Sequence, residues 1–173
     1  MKKHQTQTMP TRNKDSLGSI IGHLAGVIAS ENFPTGERAA LKRLTPRLPP
    51  SLKFYRFAFR HLPQGWEAQQ AEWMAVVSGI ALMCPEPHRP DRPVGRALAE
   101  AGYSEARLER LLAAEGEDLH TLVLRAARFL AAKAEAVNWV DLACLLLTRD
   151  KGKLENVRFK FARDYYPHLE KKE

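Results

Sequence analysis

The chain has 173 residues, 45% of them hydrophobic, with 27 Lys/Arg against 20 Asp/Glu and only two cysteines. That length and mixture suit one domain with a real core, and exclude a disordered chain, a disulfide framework or a cysteine-built zinc site. The longest strongly apolar stretch, Trp73 to Cys84, is too short to span a bilayer, and the charged N-terminus lacks the apolar core of a signal peptide, so a cytoplasmic protein without a membrane partner is expected.

Residues 1–14 read as a flexible polar and basic tail, followed by a single helical domain over residues 15–170. From Asp15, a plausible N-cap, the apolar residues Leu17, Ile20, Ile21, Leu24, Val27 and Ile28 recur at helical spacing. Thr35 can cap a second helix to about Leu44, and Pro46, Pro49 and Pro50 then force a turn. Ser51 starts a third helix to about Leu62. Residues 67–83 form a fourth helix, apolar nearly all round and therefore central. The run from Pro85 to Pro93 holds four prolines in nine residues and reads as an extended loop.

A short helix from Pro93 to Ala101 stops at Gly102, and Ser104 caps another to about Ala114, which Gly116 ends. A longer helix follows from Glu117 to Lys133, Asn138 starts an apolar helix through Leu147, and a last helix from Lys153 to Tyr166 is terminated by Pro167. With no convincing strand and no internal repeat, the fold class is all-α, an irregular bundle of about eight or nine helices.

Catalytic patterns are missing: no HExxH, CxxC, nucleophile elbow or phosphate-binding glycine loop occurs, so neither an enzyme nor a cofactor is expected. His23, between Ile20 and Val27 on its helix, reads as a satisfied, partly buried histidine rather than a ligand. Glu115, Glu117 and Asp118 flank a helix start, where carboxylates complement the helix dipole; a metal site is the alternative. Cys84 and Cys144 read as small buried hydrophobes.

Charge is unevenly placed. Residues 1–62 carry 11 Lys/Arg against 3 Asp/Glu, residues 63–148 carry 8 against 12, and residues 149–173 carry 8 against 5. Two basic ends around an acidic middle point to a polyanion met by localised patches. On the second helix Arg38 and Lys42 share a face with Arg43 beside them, and on the third Lys53, Arg56 and Arg60 form one stripe. Arg125 and Arg128 face away from Leu122 and Ala126 with no acid at i±4 opposite them. The last helix buries Leu154, Val157, Phe161 and Tyr165, and its other side carries Phe159, Lys160, Arg163 and Tyr166. Aromatic rings interleaved with cations suit single-stranded nucleic acid; packing of the same rings against another subunit is the other reading. Nothing supplies base-edge readout. A helix-turn-helix regulator built on residues 104–133 is the rival hypothesis, but its recognition helix would open with Glu117 and Asp118 against phosphates.

In order along the chain come Arg38-Ala-Ala-Leu-Lys-Arg43, Phe54-Tyr55-Arg56, Gly65-Trp66-Glu67, Gly95-Arg96-Ala97-Leu98, Ser104-Glu105-x-Arg107, Leu124-Arg125 with Arg128-Phe-Leu130, Asn138-Trp139 and Asp164-Tyr165-Tyr166. Over residues 36–166 this succession resembles the CasB family, the small subunit of the type I-E CRISPR Cascade complex. The polar tail and the proline-rich loop depart from it. The resemblance implies a non-catalytic all-helical subunit of an antiviral surveillance complex. Its partners would be the other Cascade subunits, a second copy of itself, CRISPR RNA and target DNA, and it would help to hold the R-loop open. By position it points to Arg43, Arg89 or Arg92, Arg107, Arg125 or Arg128, and Lys151 to Arg158 as nucleic-acid contacts. Arg96 lies in a family motif; the alternative for it is a structural arginine holding the loop to a helix.

Overall fold

A computed structural model describes residues 16–169 of the chain. The tail, and Asp15 as a cap, lie outside the described residues. The N-cap of the first helix, α1 (Leu17–Ala29), is Ser16, whose side chain accepts from the Ser19 N–H at 3.2 Å. Next come α2 (Thr35–Lys42) and α3 (Leu52–His61). Thr35 does not cap α2; Pro34 takes that position without a side-chain bond, whereas Ser51 caps α3 as its sequence position suggests. A 3-10 turn (Trp66–Gln69) leads into α4 (Gln70–Leu82), where every residue from Trp73 to Ala81 is buried. That helix is apolar all round because α1, α2, α7 and α8 pack about it.

The second half comprises α5 (Val94–Ala101), α6 (Glu105–Ala113), α7 (Gly116–Ala132), α8 (Trp139–Leu147) and α9 (Lys151–Leu169). Ser104 caps α6, Asn138 caps α8, and Gly102 closes α5 in the left-handed conformation at φ 85°. Gly116 does not end α6, which stops at Ala113; it opens α7 instead, at φ 56°. Nor does Pro167 end α9, because the helix runs on to Leu169. Proline removes a single rung there, while Leu169 packs on the core and His168 reaches Glu100 at 3.7 Å to hold the last turn. All nine α-helices among the described residues confirm the all-α class, and the extended geometry is limited to one isolated bridge between His88 and Val137.

That bridge shows why the proline-rich loop is ordered. Arg89 N–H donates to the Val137 carbonyl at 2.9 Å, Asn138 N–H donates to the Arg92 carbonyl at 2.8 Å, and the Trp139 N–H donates to His88 Nδ1 at 3.1 Å. The loop therefore supplies acceptors for amides at the start of α8 that have no partner within the helix. Burial pushes the His88 imidazole below its ordinary pKa, as burial, His23 and Arg60 do for His61, whose Nδ1 sits 3.1 Å from His23 Nε2. Both histidines bind protons more readily when unfolded, so their contribution is complete above the unfolded value of about 6.5 and is lost as pH falls below it. The urea midpoint is expected to drop between pH 7.5 and 5.5, and the drop to shrink in His61→Gln. An unchanged pH slope in that variant would count against His61 as a source.

Candidate nucleic-acid interface

Four of the cations read as phosphate contacts are engaged inside the chain. Arg38 donates to the carbonyls of Ile28 and Ser30 at 2.8 and 2.7 Å, satisfying the C-terminal end of α1, with its guanidinium 5.6 Å from the Phe33 ring centre. Arg92, its side chain only 15% exposed, pairs with Glu135 at 2.7 Å and Glu100 at 2.9 Å. Burial lowers its pKa, but the hydrogen bonds and charges of both carboxylates outweigh that and hold it protonated. Lys160 bridges Asp141 and Asp164, both at 2.9 Å; burial again opposes and the two carboxylates again prevail, raising its pKa. Asp141 is itself buried and accepts the Val94 N–H at 3.1 Å, so this pair ties α5, α8 and α9 together. Arg158 pairs with Glu155 and, at 3.9 Å, with Glu115.

Weaker engagements hold three more. Arg56 pairs with Glu37 at 3.2 Å, Arg89 with Asp91 at 3.3 Å and Arg163 with Asp164 at 3.4 Å, all three cations being more than half exposed. Exposed pairs of this kind contribute up to about 1 kcal/mol and yield readily to a phosphate. Arg96 likewise pairs with Glu100, at 2.9 Å, a bond along α5 itself rather than one from the loop to a helix.

The remaining cations are exposed and have no acidic partner among the described residues: Lys42, Arg43, Lys53, Arg60, Arg107, Arg125, Arg128 and Lys151. The Lys53 ammonium lies near Gly36 in the first turn of α2, so α3 sets a cation beside that helix. A second group forms where α6 meets α7. The Arg107 guanidinium is 5.9 Å from the ring centres of Tyr103 and Phe129, and the Lys133 ammonium is 5.9 Å from Phe129. One half-buried ring thus carries a cation from each helix, with Arg125 a turn before it along α7 and Arg110 a turn after Arg107. Arg110 and Lys133, also exposed without an acidic partner among the described residues, escaped the sequence reading, whereas Lys153, equally exposed, falls within the span from Lys151 to Arg158. Helical spacing is the signal that finds the first two: Arg110 is three residues from Arg107, and Lys133 four from Phe129.

On α9, Phe159 is 67% and Tyr166 46% exposed, and the Tyr166 hydroxyl donates to Glu105 at 2.7 Å. Glu117 and Asp118 pair with Arg47 at 3.4 and 3.5 Å. The helix-turn-helix rival would bring this carboxylate-bearing first turn of α7 against phosphates. Among the described residues no three His, Cys, Asp or Glu side chains are grouped to hold a metal ion, and no helix is long and apolar enough to cross a membrane. Cys84 and Cys144 are free and half-buried, and burial pushes both thiols up.

Residues 37–166 match the family model of CRISPR-associated protein Cse2. Among solved structures, the chain is similar to a CRISPR-associated protein of the Cse2 family from Thermus thermophilus. Identity is 21%, the TM-score is 0.69, and the likeness covers 88% of this chain and 99% of that one; at that identity it speaks for the fold. No curated protein matches the chain. The matched span takes in α2 to α9 but for the first two and last three residues, and with them every cation of the two exposed groups. The chain therefore belongs to the CRISPR-associated Cse2 family, also called CasB, the small subunits of type I-E complexes, and with that family it takes part in CRISPR defence as a component of a CRISPR-associated complex.

Proposed function

We propose that the protein is a non-catalytic small subunit that binds nucleic-acid backbone without sequence preference and stabilises the R-loop of its complex. The observation that carries this reading is the pair of exposed cation groups, one on α2 and α3, the other around Phe129 between α6 and α7. Rings offer stacking platforms to any base and cations follow the phosphates, so affinity comes without readout. Exchange of duplex for RNA–DNA heteroduplex is nearly balanced in free energy, and modest contacts to a displaced strand or to the heteroduplex backbone suffice to tip it. CRISPR RNA, target DNA, the other subunits and a second copy of this chain are the partners in this reading.

Binding of a fluorescent single-stranded oligonucleotide across a salt series tests it. Five or six contacted phosphates give a log–log slope of about −4. A flat salt dependence, or one sequence strongly preferred at fixed salt, would overturn the reading. Cleavage of the oligonucleotide that disappears in a single carboxylate variant would overturn its non-catalytic part.

A further inference from the structure

Helices α6 and α9 flank an open groove of about 620 Å³, within the ~300–1,000 Å³ typical of binding clefts. Its floor is apolar: Leu108 is 2% exposed, and Leu112 and Ala162 are half-buried beside it. Glu105, Glu109, Glu115 and Glu155 stand around that floor. The one cation among the lining residues, Arg158, is already paired with Glu155 and Glu115. The groove is thus an acidic depression on a chain of net charge +7.

Glu155, Arg158, Ala162 and Tyr166 follow one another at spacings of three and four, so they occupy one face of α9. Phe159, two-thirds exposed, sits at the edge of that face, and Tyr166 closes it. An exposed aromatic rim around a desolvated apolar floor is the composition of a protein interface. Phosphate is the wrong occupant here, since it would meet four carboxylates. Lysine and arginine are the right ones, because their apolar stems cover a floor while their charged ends reach a rim.

We propose that this groove docks a cationic segment of another protein subunit of the complex, apolar on the side that meets Leu108 and Leu112 and bearing Lys or Arg toward Glu109 and Glu155. The proposal rests on membership of the complex and uses none of the cations of the two exposed groups. The two surfaces therefore separate cleanly: a basic one for the polyanion, an acidic one for a protein neighbour.

The complex is assembled with wild-type protein or with the Glu109→Lys/Glu155→Lys variant, and subunit occupancy is read by native mass spectrometry. Free variant is expected to keep its helicity and to bind single-stranded DNA as tightly as wild type or a few-fold tighter, while its occupancy falls at least tenfold. The milder Glu109→Gln/Glu155→Gln pair, which adds no positive charge, is expected to give an intermediate loss and guards against a folding artefact. Full occupancy by both variants overturns the proposal. Loss of DNA binding by the free variant with occupancy retained counts against the nucleic-acid reading as well. A photo-cross-linking phenylalanine at position 159 is expected to capture a Lys/Arg-containing segment of a different subunit. Capture of nucleic acid, a second copy or residues 1–15 of this chain, or no capture, overturns the proposed occupant.

Discussion

Gly95→Val is expected to cost at least about 3 kcal/mol of stability and to lower the melting temperature by about 6–12 °C. Gly95 lies on the face of α5 that meets α9, and a Cβ there would overlap the Phe161 carbonyl oxygen and stand 3.0 Å from Asp164 Cβ and 3.1 Å from Tyr165 N. Two of those three neighbours are backbone, so relief demands separation of the helices rather than a new rotamer. Separation has consequences at three places. Phe161 and Tyr165 are buried in this interface, and the Tyr165 hydroxyl donates to the Tyr103 carbonyl at 2.6 Å. Nearby, Asp141 accepts the Val94 N–H at 3.1 Å and receives Lys160 from α9. Opening the helices strains all of these together, and a buried carboxylate left short of partners is expensive. Thermal unfolding followed by circular dichroism reads the effect. Gly22→Ala and Gly26→Ala provide the contrast, since both glycines are exposed within α1 and a Cβ would meet nothing within 4 Å. Each of those should gain about 0.5–1 kcal/mol from helix propensity alone. A Gly95 variant as stable as wild type would mean that α5 and α9 are not held this closely.

The helix boundaries were readable where a single residue decides them. Ser51, Ser104 and Asn138 each place a side-chain oxygen on an amide two or three residues ahead, and that chemistry is local. Thr35, Gly116 and Pro167 mislead because each admits two local solutions and the neighbouring fold selects one. The cations divide in the same way. Arg125 and Arg128 were read as free because no acid sits a turn away on α7, and no acid reaches them from elsewhere among the described residues. The same test fails for Arg92, whose Glu135 is 43 residues distant. For Lys160 it finds Asp164 one turn on but misses Asp141, which belongs to another helix. It fails for Arg38 in a deeper sense, since carbonyl groups are its acceptors and every sequence has those. The α6–α9 groove was invisible for the complementary reason. Glu105 and Glu109 look like any solvated helix face until α9 brings Glu155 and Ala162 opposite them.

Those distinctions set up the largest expected effect on binding. Arg107→Glu/Arg125→Glu/Arg128→Glu removes three exposed cations from the α6–α7 surface, where Arg107 and Lys133 flank the Phe129 ring. Each phosphate contact on a single strand carries about 0.7 of the log–log salt slope, so three lost contacts should cost about a hundredfold in affinity at 0.1 M salt. Reversal rather than neutralisation adds repulsion, which deepens the loss. The salt slope should become shallower by about 2, a signature that a merely unstable variant does not produce. Arg92→Gln is the matching control from the interior. It leaves Glu135 and Glu100 facing each other without their cation where the proline-rich loop meets α5 and the segment that follows α7. Stability should fall by about 2–3 kcal/mol, because a partly buried pair loses one member. Oligonucleotide affinity of the folded fraction should stay within about twofold, since a side chain 15% exposed presents little to a phosphate. The opposite pattern, with Arg92→Gln weakening binding and the triple reversal leaving it intact, would transfer the interface from the α6–α7 surface to the proline-rich loop.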